Sequence, residues 1–543
     1  MAASVKALIV VFAIAAVVFQ MAKPIALRFS AESDFVRRRN VWFILTITAF
    51  LSPTFWLYAL IAIPVFVWAS RKDSNPVAFY LLLLHVVPDT PIDIPTVGIQ
   101  QLFPLDNYRL LSFCVLIPTA WRLRRSKNAN QNGKLTAMDV LLLGYGVVQV
   151  LLFVPPDLPN HVLLPDSATN MLRRAFLFFV DIYVLYYVVS RSCASRRTIV
   201  EALAAFCLAC AVMSMQGVFE ALRHWLLYAD IGIGWGSIHL LNPYSYVREG
   251  MVRAQAAAGS ALALGYLLAI AAGFWLYLRS QVVARRWRVT MFLVFWAGLL
   301  ATYSRGTWIG AATIYFTFIA IGPRAMPRML KAAAIAGVAV ALMSVTPVGE
   351  RLLSSLPFFG GTTDIGTYVY RQRLAERSWE LIQQHPLLGD QLAWTKMEGL
   401  RQGEGIIDIV NTYAHVALFY GLIGLSLFIG FILFALLKVY RQAKRLARSD
   451  PDFAMLGVSL AACIVGVLLM ISDNSFWLGV QKMFYVLAGL AAAYVHCGKT
   501  PEPHAPISAA GANLKGDKVA SIGGDTAPSQ TAIYDITSLA SET

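Results

Sequence analysis

The chain is 543 residues long, 58% hydrophobic and only 14% charged, with a positive mean hydropathy. That balance excludes a soluble globule and a disordered polymer alike, and describes a polytopic membrane protein. The net charge of +15 does not mark a nucleic-acid partner, because the lysines and arginines gather in short turns between apolar runs, at 37–39, 122–134, 191–197, 279–288 and 438–448, which is the positive-inside signature of cytoplasmic loops.

A bilayer core about 30 Å thick takes about 20 apolar residues per helix. The opening run, 5–22, reads as a retained anchor rather than a cleaved signal: Lys6 is its only early cation, and no small-x-small site follows. Residues 41–69 form one apolar run broken at Ser52-Pro53 with cations at both ends, which a tight hairpin with Pro53 at its outer turn satisfies. Then 77–88 and 108–121 make a short pair across a polar, proline-rich stretch holding Asp89, Pro91, Asp93, Pro95 and Pro104. Further spans follow at 137–154, 171–189, 199–219, 253–278, 289–303, 306–321, 330–346, 413–437, 455–471 and 481–496. The expected fold is therefore an all-α, polytopic helical bundle of about 13 to 15 spans, with its N-terminus outside and its basic turns inside.

Four regions are expected: N-terminal spans over 1–240, a core over 241–440, C-terminal spans over 441–497, and a tail over 498–543. The tail is rich in Gly, Ala, Ser, Thr and Pro without apolar periodicity, and reads as a disordered cytoplasmic segment. Cys114, Cys193, Cys207, Cys210, Cys463 and Cys497 fall in or beside spans, where cysteine behaves as a small hydrophobe. Cys207 and Cys210 form a Cys-x-x-Cys without a second pair, so neither a metal site nor a disulfide framework is expected.

The same topology puts 89–107, 155–170, 220–252, the turn 304–306 and the long loop 347–412 on the outer side. Within that loop, Leu374, Ser378, Leu381 and Ile382 recur at helical spacing, and Arg371 and His385 extend the stripe. An amphipathic helix over 368–384, lying on the outer membrane surface, is the expectation. His385-Pro386-Leu387-Leu388-Gly389 then ends it.

Arginines on the outer side run against the positive-inside bias. They are Arg248, Arg253, Arg371, Arg373, Arg377 and, inside Ser304-Arg305-Gly306, Arg305. A planar guanidinium holds a diphosphate with paired hydrogen bonds that lysine cannot match. The competing account is snorkelling to lipid headgroups or pairing with Glu249 and Glu376. For Arg305 the first account is preferred, since a snorkelling residue needs neither the serine nor the glycine beside it. Three other polar intrusions stand out: Asp181 inside a span, expected to have a partner in the bundle; His415, explained by an interfacial position; and Asp473.

These residues resemble a known family, the O-antigen ligase and Wzy-type polysaccharide polymerase superfamily of bacterial inner-membrane glycosyltransferases. The resemblance rests on four features in order: Arg248 to Arg253 before an Ala/Gly-rich helix; Ser304-Arg305-Gly306 between two spans; Tyr370-Arg371 and then His385-Pro386-Leu387-Leu388-Gly389 in a long outer loop; and Val410-Asn411-Thr412-Tyr413 leading into Gly421-Leu422-Ile423-Gly424. It implies transfer of a glycan from an undecaprenyl-diphosphate-linked oligosaccharide at the periplasmic face, without cofactor or metal. It implies membrane lipids, a flippase and a chain-length regulator as partners.

Carried onto this chain, the resemblance makes Arg305, Arg371 and either Arg248 or Arg253 a diphosphate clamp. Arg373, Arg377, His385, Glu404 and Asn411 become further substrate contacts. Ligases of the family commonly carry His-Asn before the Gly-x-x-Gly span; here Val410 stands in the histidine position ahead of Asn411. Asp408 is the hypothetical general base in its place, with Glu404 nearby. The departure tilts the reading towards polymerase over ligase. A transporter of the same lipid-linked sugar is disfavoured, because no duplicated halves are visible.

Overall fold

The computed structural model describes residues 2–94, 102–126, 134–154, 168–236, 247–248, 251–323, 325–346, 365–401, 407–473, 476 and 478–498. The tail beyond 498, Glu249 and Glu404 lie outside these residues, and Arg248 is described in its backbone only.

The N-terminal half opens with α1 (Ala2–Ala26), α2 (Glu32–Leu51), α3 (Phe55–Lys72) and α4 (Pro76–Leu83). Helices α2 and α3 form the expected hairpin about Ser52-Pro53, with the Thr54 hydroxyl accepting from Leu57 N at the start of α3. A two-stranded ribbon, β1 (Ile92–Asp93) against β2 (Pro104–Leu105), leads into α5 (Asn107–Leu111), a π-helical turn (Ser112–Leu116) and α6 (Ile117–Arg125). Next come α7 (Ala137–Leu151), then α8 (Ala168–Phe178), a second π-helical turn (Phe179–Tyr183) and α9 (Val184–Ser192) in one continuous column. The long α10 (Arg196–Arg223) and short α11 (Ala229–Gly234) follow.

A hairpin of β3 (Val247–Arg248) and β4 (Met251–Val252) precedes α12 (Ala261–Leu278), α13 (Arg285–Ala301), α14 (Arg305–Ile321) and α15 (Ala325–Met343). The outer helix is α16 (Ile365–Gln384), and α17 (Thr412–Leu446), α18 (Pro451–Met470) and α19 (Leu478–Cys497) close the bundle. Among the described residues, strand is confined to these two short ribbons. Six helices are long and apolar enough to cross a membrane. The chain is an all-α polytopic membrane protein.

Burial separates helices of similar apolarity. Helices α10, α12 and α18 are mostly buried in the bundle, whereas α1, α3 and α17 leave most of their apolar windows exposed. Leu60 on α3 is 71% exposed and Leu222 on α10 is 74% exposed. In water such faces would associate; in a bilayer they are the lipid-facing surface. Where helices cross closely, small residues allow it. A Cβ at Gly298 would lie 2.1 Å from Ser214 Oγ, and one at Gly310 2.2 Å from Met470 Cγ, so side chains from the neighbouring helix occupy those gaps.

Polar contacts between distant segments pair turns predicted on the same side. At one end, Arg38 pairs with Asp73 (2.6 Å) and Glu201 (2.8 Å), Arg191 with Asp139 (2.6 Å), and Gln281 donates to Asp452 (2.8 Å). At the other, Trp235 Nε1 donates to Ser52 O (3.0 Å), Ala254 N to Ala301 O (3.0 Å) and Thr412 N to Ile471 O (3.0 Å). The bundle thus has a basic end and a loop end, and the arginines singled out above belong to the loop end.

One expectation changes. Leu374, Ser378, Leu381 and Ile382 are indeed the buried stripe of α16, at 9% exposure or less. That stripe does not rest on a membrane surface. It packs on the chain itself, against Ala393, Met397, Ile407, Ile409 and Leu418, as a second small core. The apolar residues on both sides of the loop satisfy each other, which leaves no stripe for lipid.

Candidate functional site

The site is built on the turn between α13 and α14. Thr302 Oγ1 donates back to Leu299 O (2.7 Å), Thr307 Oγ1 to Ser304 O (2.9 Å) and Trp308 Nε1 to Leu299 O (2.7 Å). Tyr303 takes a left-handed conformation, φ 46°, to complete it. Ser304 precedes α14 without a side-chain cap bond, and its buried hydroxyl has no hydrogen-bond partner among the described residues. The helix N-terminus therefore keeps its backbone N–H groups open to an anion.

Asp473 supplies a carboxylate there. A Cβ at Gly306 would lie 2.6 Å from Asp473 Oδ2, so glycine is what lets the carboxylate come this close to the helix start. Asp473 Oδ1 pairs with Arg371 of α16. Both side chains are 44% exposed, so the pair is hydrated and contributes little to stability. An anion thus sits between a helix N-terminus and a guanidinium, with Arg305 as the first residue of that helix.

Arg253 enters from the other side. Its Nε donates to Thr302 O (3.2 Å), and the adjacent Ala254 N to Ala301 O. The segment carrying it is held by Glu220, whose carboxylate accepts from Leu227 N (2.9 Å), Gln255 N (2.8 Å) and Ala256 N (2.8 Å). Ala256 sits at φ 44°, a conformation that those bonds must maintain. Tyr370, beside Arg371, donates to the Asp408 carbonyl (3.2 Å), which brings the 407–411 strand of chain to the same place.

Arg253 thus touches the turn that carries Arg305, Arg371 reaches the same turn through Asp473 beside Gly306, and Tyr370 ties the helix of Arg371 to the Asp408 backbone. Other expected contacts are placed elsewhere. Asn411 caps α17, its side-chain oxygen accepting from Tyr413 N (2.9 Å) and Ala414 N (3.0 Å). Arg377 donates to Lys396 O (3.2 Å) and pairs with Glu380 (2.8 Å) within the outer lobe. Arg373 is exposed, two residues from Arg371 and so about 200° round the helix.

His385 is exposed at the end of α16, where its motif has a structural task. Pro386 O and Leu387 O accept from Leu422 N (2.8 Å) and Ile423 N (3.3 Å), and Asp390 N donates to Leu418 O (2.7 Å). Gly389 (φ 72°) and Gly421 (φ 63°, ψ −169°) make this clasp possible, because each backbone lies where the other's Cβ would be. The two glycine motifs are thus one joint. His415, whose ring centroid lies 4.8 Å from that of Phe419 and 6.2 Å from that of Trp394, packs into the same lobe.

Glu220 and Asp473 are what the sequence reading missed or left without a role. Their only signal was a carboxylate in or beside an apolar run, a feature that Asp181 shares. Asp181 has the partners expected of it, Arg109 (2.8 Å) and Lys482 (2.6 Å).

Fold and site define a class: a multi-pass α-helical membrane protein with an arginine-rich, anion-holding turn at its loop end. The family model described as O-antigen ligase matches residues 289–429, roughly a quarter of the chain, from α13 through the clasp of α17. Over those residues the chain is similar to the O-antigen ligase family. No curated protein matches it.

Proposed function

We propose that this protein transfers glycan from an undecaprenyl-diphosphate carrier at the periplasmic face of the bacterial inner membrane, polymerising lipid-linked repeats. The observation that carries the reading is the Asp473 carboxylate held between Arg371 and the N-terminus of α14. It occupies a place suited to a phosphoryl oxygen. The orientation follows from the positive-inside bias, which puts the basic end in the cytoplasm and the arginine-rich turn outside.

In this reaction an acceptor hydroxyl attacks the sugar C1, the bond from C1 to the diphosphate oxygen breaks, and negative charge grows on the leaving diphosphate. Arg305, Arg371 and Arg253, fixed in place before the reaction, stabilise that charge. Asp408 takes the acceptor proton, and Asp408→Asn with unchanged glycan output would remove it from this role. The ligase alternative draws on the family description itself. Purified protein with lipid-linked repeats separates the two: a ladder of lengths indicates a polymerase, and a single transfer to lipid A core or protein indicates a ligase. Replacing Arg305 or Arg371 by alanine, with membrane levels checked, is expected to abolish either product. Retained output from both variants would sink the clamp.

A further inference from the structure

A buried polar cluster at the loop end takes no part in the proposed transfer. It forms where α3, α4, α5, the two π-helical turns and α19 meet. Asp181 accepts from both Arg109 and Lys482, and Arg109 also pairs with Asp106 Oδ2 (3.3 Å). Asp106 Oδ1 caps α5 by accepting from Arg109 N (2.7 Å). Tyr58 OH donates to Asn107 Oδ1 (2.8 Å), and Tyr108 OH meets His85 Nδ1 (3.0 Å).

Asp89 is a third carboxylate here, within electrostatic reach of Asp106, Arg109, Asp181 and Lys482. Both its oxygens are buried, and neither accepts a hydrogen bond among the described residues. Thr90 Oγ1, Asn107 Nδ2 and His85 Nε2, on side chains no more than 3% exposed, are buried without a partner as well. The two cations, Arg109 and Lys482, are already matched by Asp106 and Asp181. An ionised Asp89 would leave an excess buried charge whose oxygens accept no hydrogen bond, and a neutral acid avoids that cost. Among the described residues no three His, Cys, Asp or Glu side chains are placed to share a metal ion, whereas a proton needs no coordination shell.

We propose that Asp89 is a dissociable proton site, whose proton keeps Lys482 committed to Asp181 and so holds α19 against the second π-helical turn. Burial, reinforced by Asp106, pushes the Asp89 carboxyl well above the usual carboxylate range, while Lys482 and Arg109 act the other way. Burial raises Asp106 as well, but its carboxylate has the Arg109 guanidinium and backbone N–H as partners, which Asp89 lacks. Asp106, Tyr108 and Arg109 from the α5 segment, Asp181 from the π-helical turn and Lys482 from α19 are the groups it faces. The sign follows from a raised native pKa: the stabilisation is complete below the ordinary carboxylate range and is lost as pH rises through the native value. Above it, Asp89 becomes a carboxylate that competes with Asp181 for Lys482.

The test is infrared spectroscopy of the full chain in detergent with aspartate-selective carbon-13 labelling. At neutral pH a labelled protonated-carboxyl band is expected. It should vanish in Asp89→Asn, persist in Asp106→Asn, and in Asp89→Glu move out of the labelled set. The exchange protection of amides 482–490 should fall by up to about tenfold per pH unit above the native pKa, and not in Asp89→Asn. No labelled band in the native chain at neutral pH, or one that survives in both Asp89 variants, would overturn the proposal. The glutamate variant keeps the question open to measurement should the asparagine variant fail to accumulate.

Discussion

Gly421→Ala is the sharpest probe of how the outer lobe is held. A Cβ there would lie 2.2 Å from Leu387 O, 2.3 Å from Leu387 C and 2.6 Å from Leu388 N. All three atoms are backbone, so no rotamer change relieves the overlap. The pair φ 63°, ψ −169° adds strain of about 1–3 kcal/mol for a residue with a side chain. To make room, the 386–390 turn must lift and give up the bonds from Leu422 N, Ile423 N and Asp390 N, each contributing about 0.5–1.5 kcal/mol. The total, about 2.5–7.5 kcal/mol, falls on one lobe, so release of α16 is expected before global unfolding. Hydrogen exchange and limited proteolysis over 374–401 read this directly, and glycan output should fall because Arg371 rides on α16. Gly430→Ala is the control: it lies on the same helix with nothing within 4 Å of its added Cβ, and should be neutral or slightly stabilising. Native protection in Gly421→Ala would refute the clasp as the anchor of the lobe.

Three further outcomes follow from the same geometry. Asp181→Ala strands Lys482 in the bundle and leaves Arg109 to Asp106, and should cost about 3–5 kcal/mol, seen as a lowered Tm and membrane level; Asp181→Asn with Lys482→Met should recover part of the loss. Glu220→Gln replaces one acceptor oxygen by a donor, so at least one of three backbone N–H bonds is lost at about 1–3 kcal/mol. Exchange over 253–259 should rise and transfer should weaken while the chain remains in the membrane. Asp473→Asn, at a hydrated pair, should change stability by less than about 1 kcal/mol yet alter glycan output; a large fall in Tm would show that the pair is structural.

Candidate site residues could be picked out in the sequence because membranes make charge expensive. Arg305 stood out from its apolar flanks, and the hairpin at Ser52-Pro53 and the buried stripe of α16 followed from periodicity and charge placement. The role of His385-Pro386-Leu387-Leu388-Gly389 was not legible. Its partner, Gly421, lies more than thirty residues on, and only backbone approach shows that the two motifs meet. Asn411 likewise reads as a site residue by motif and as a helix cap by geometry.

The sequence alone determined that this chain is a helical membrane protein with a basic end and an arginine-bearing end, because lipid thickness and charge cost act locally along the chain. Tertiary structure alone decided how Arg253 and Arg371 reach the turn of Arg305, since that depends on Thr302 and Glu220 for the first and Asp473 for the second, each distant in the chain from the arginine it serves. It also decided that Ser-Arg-Gly ends in glycine because a carboxylate just past α18 lies where a side chain would be.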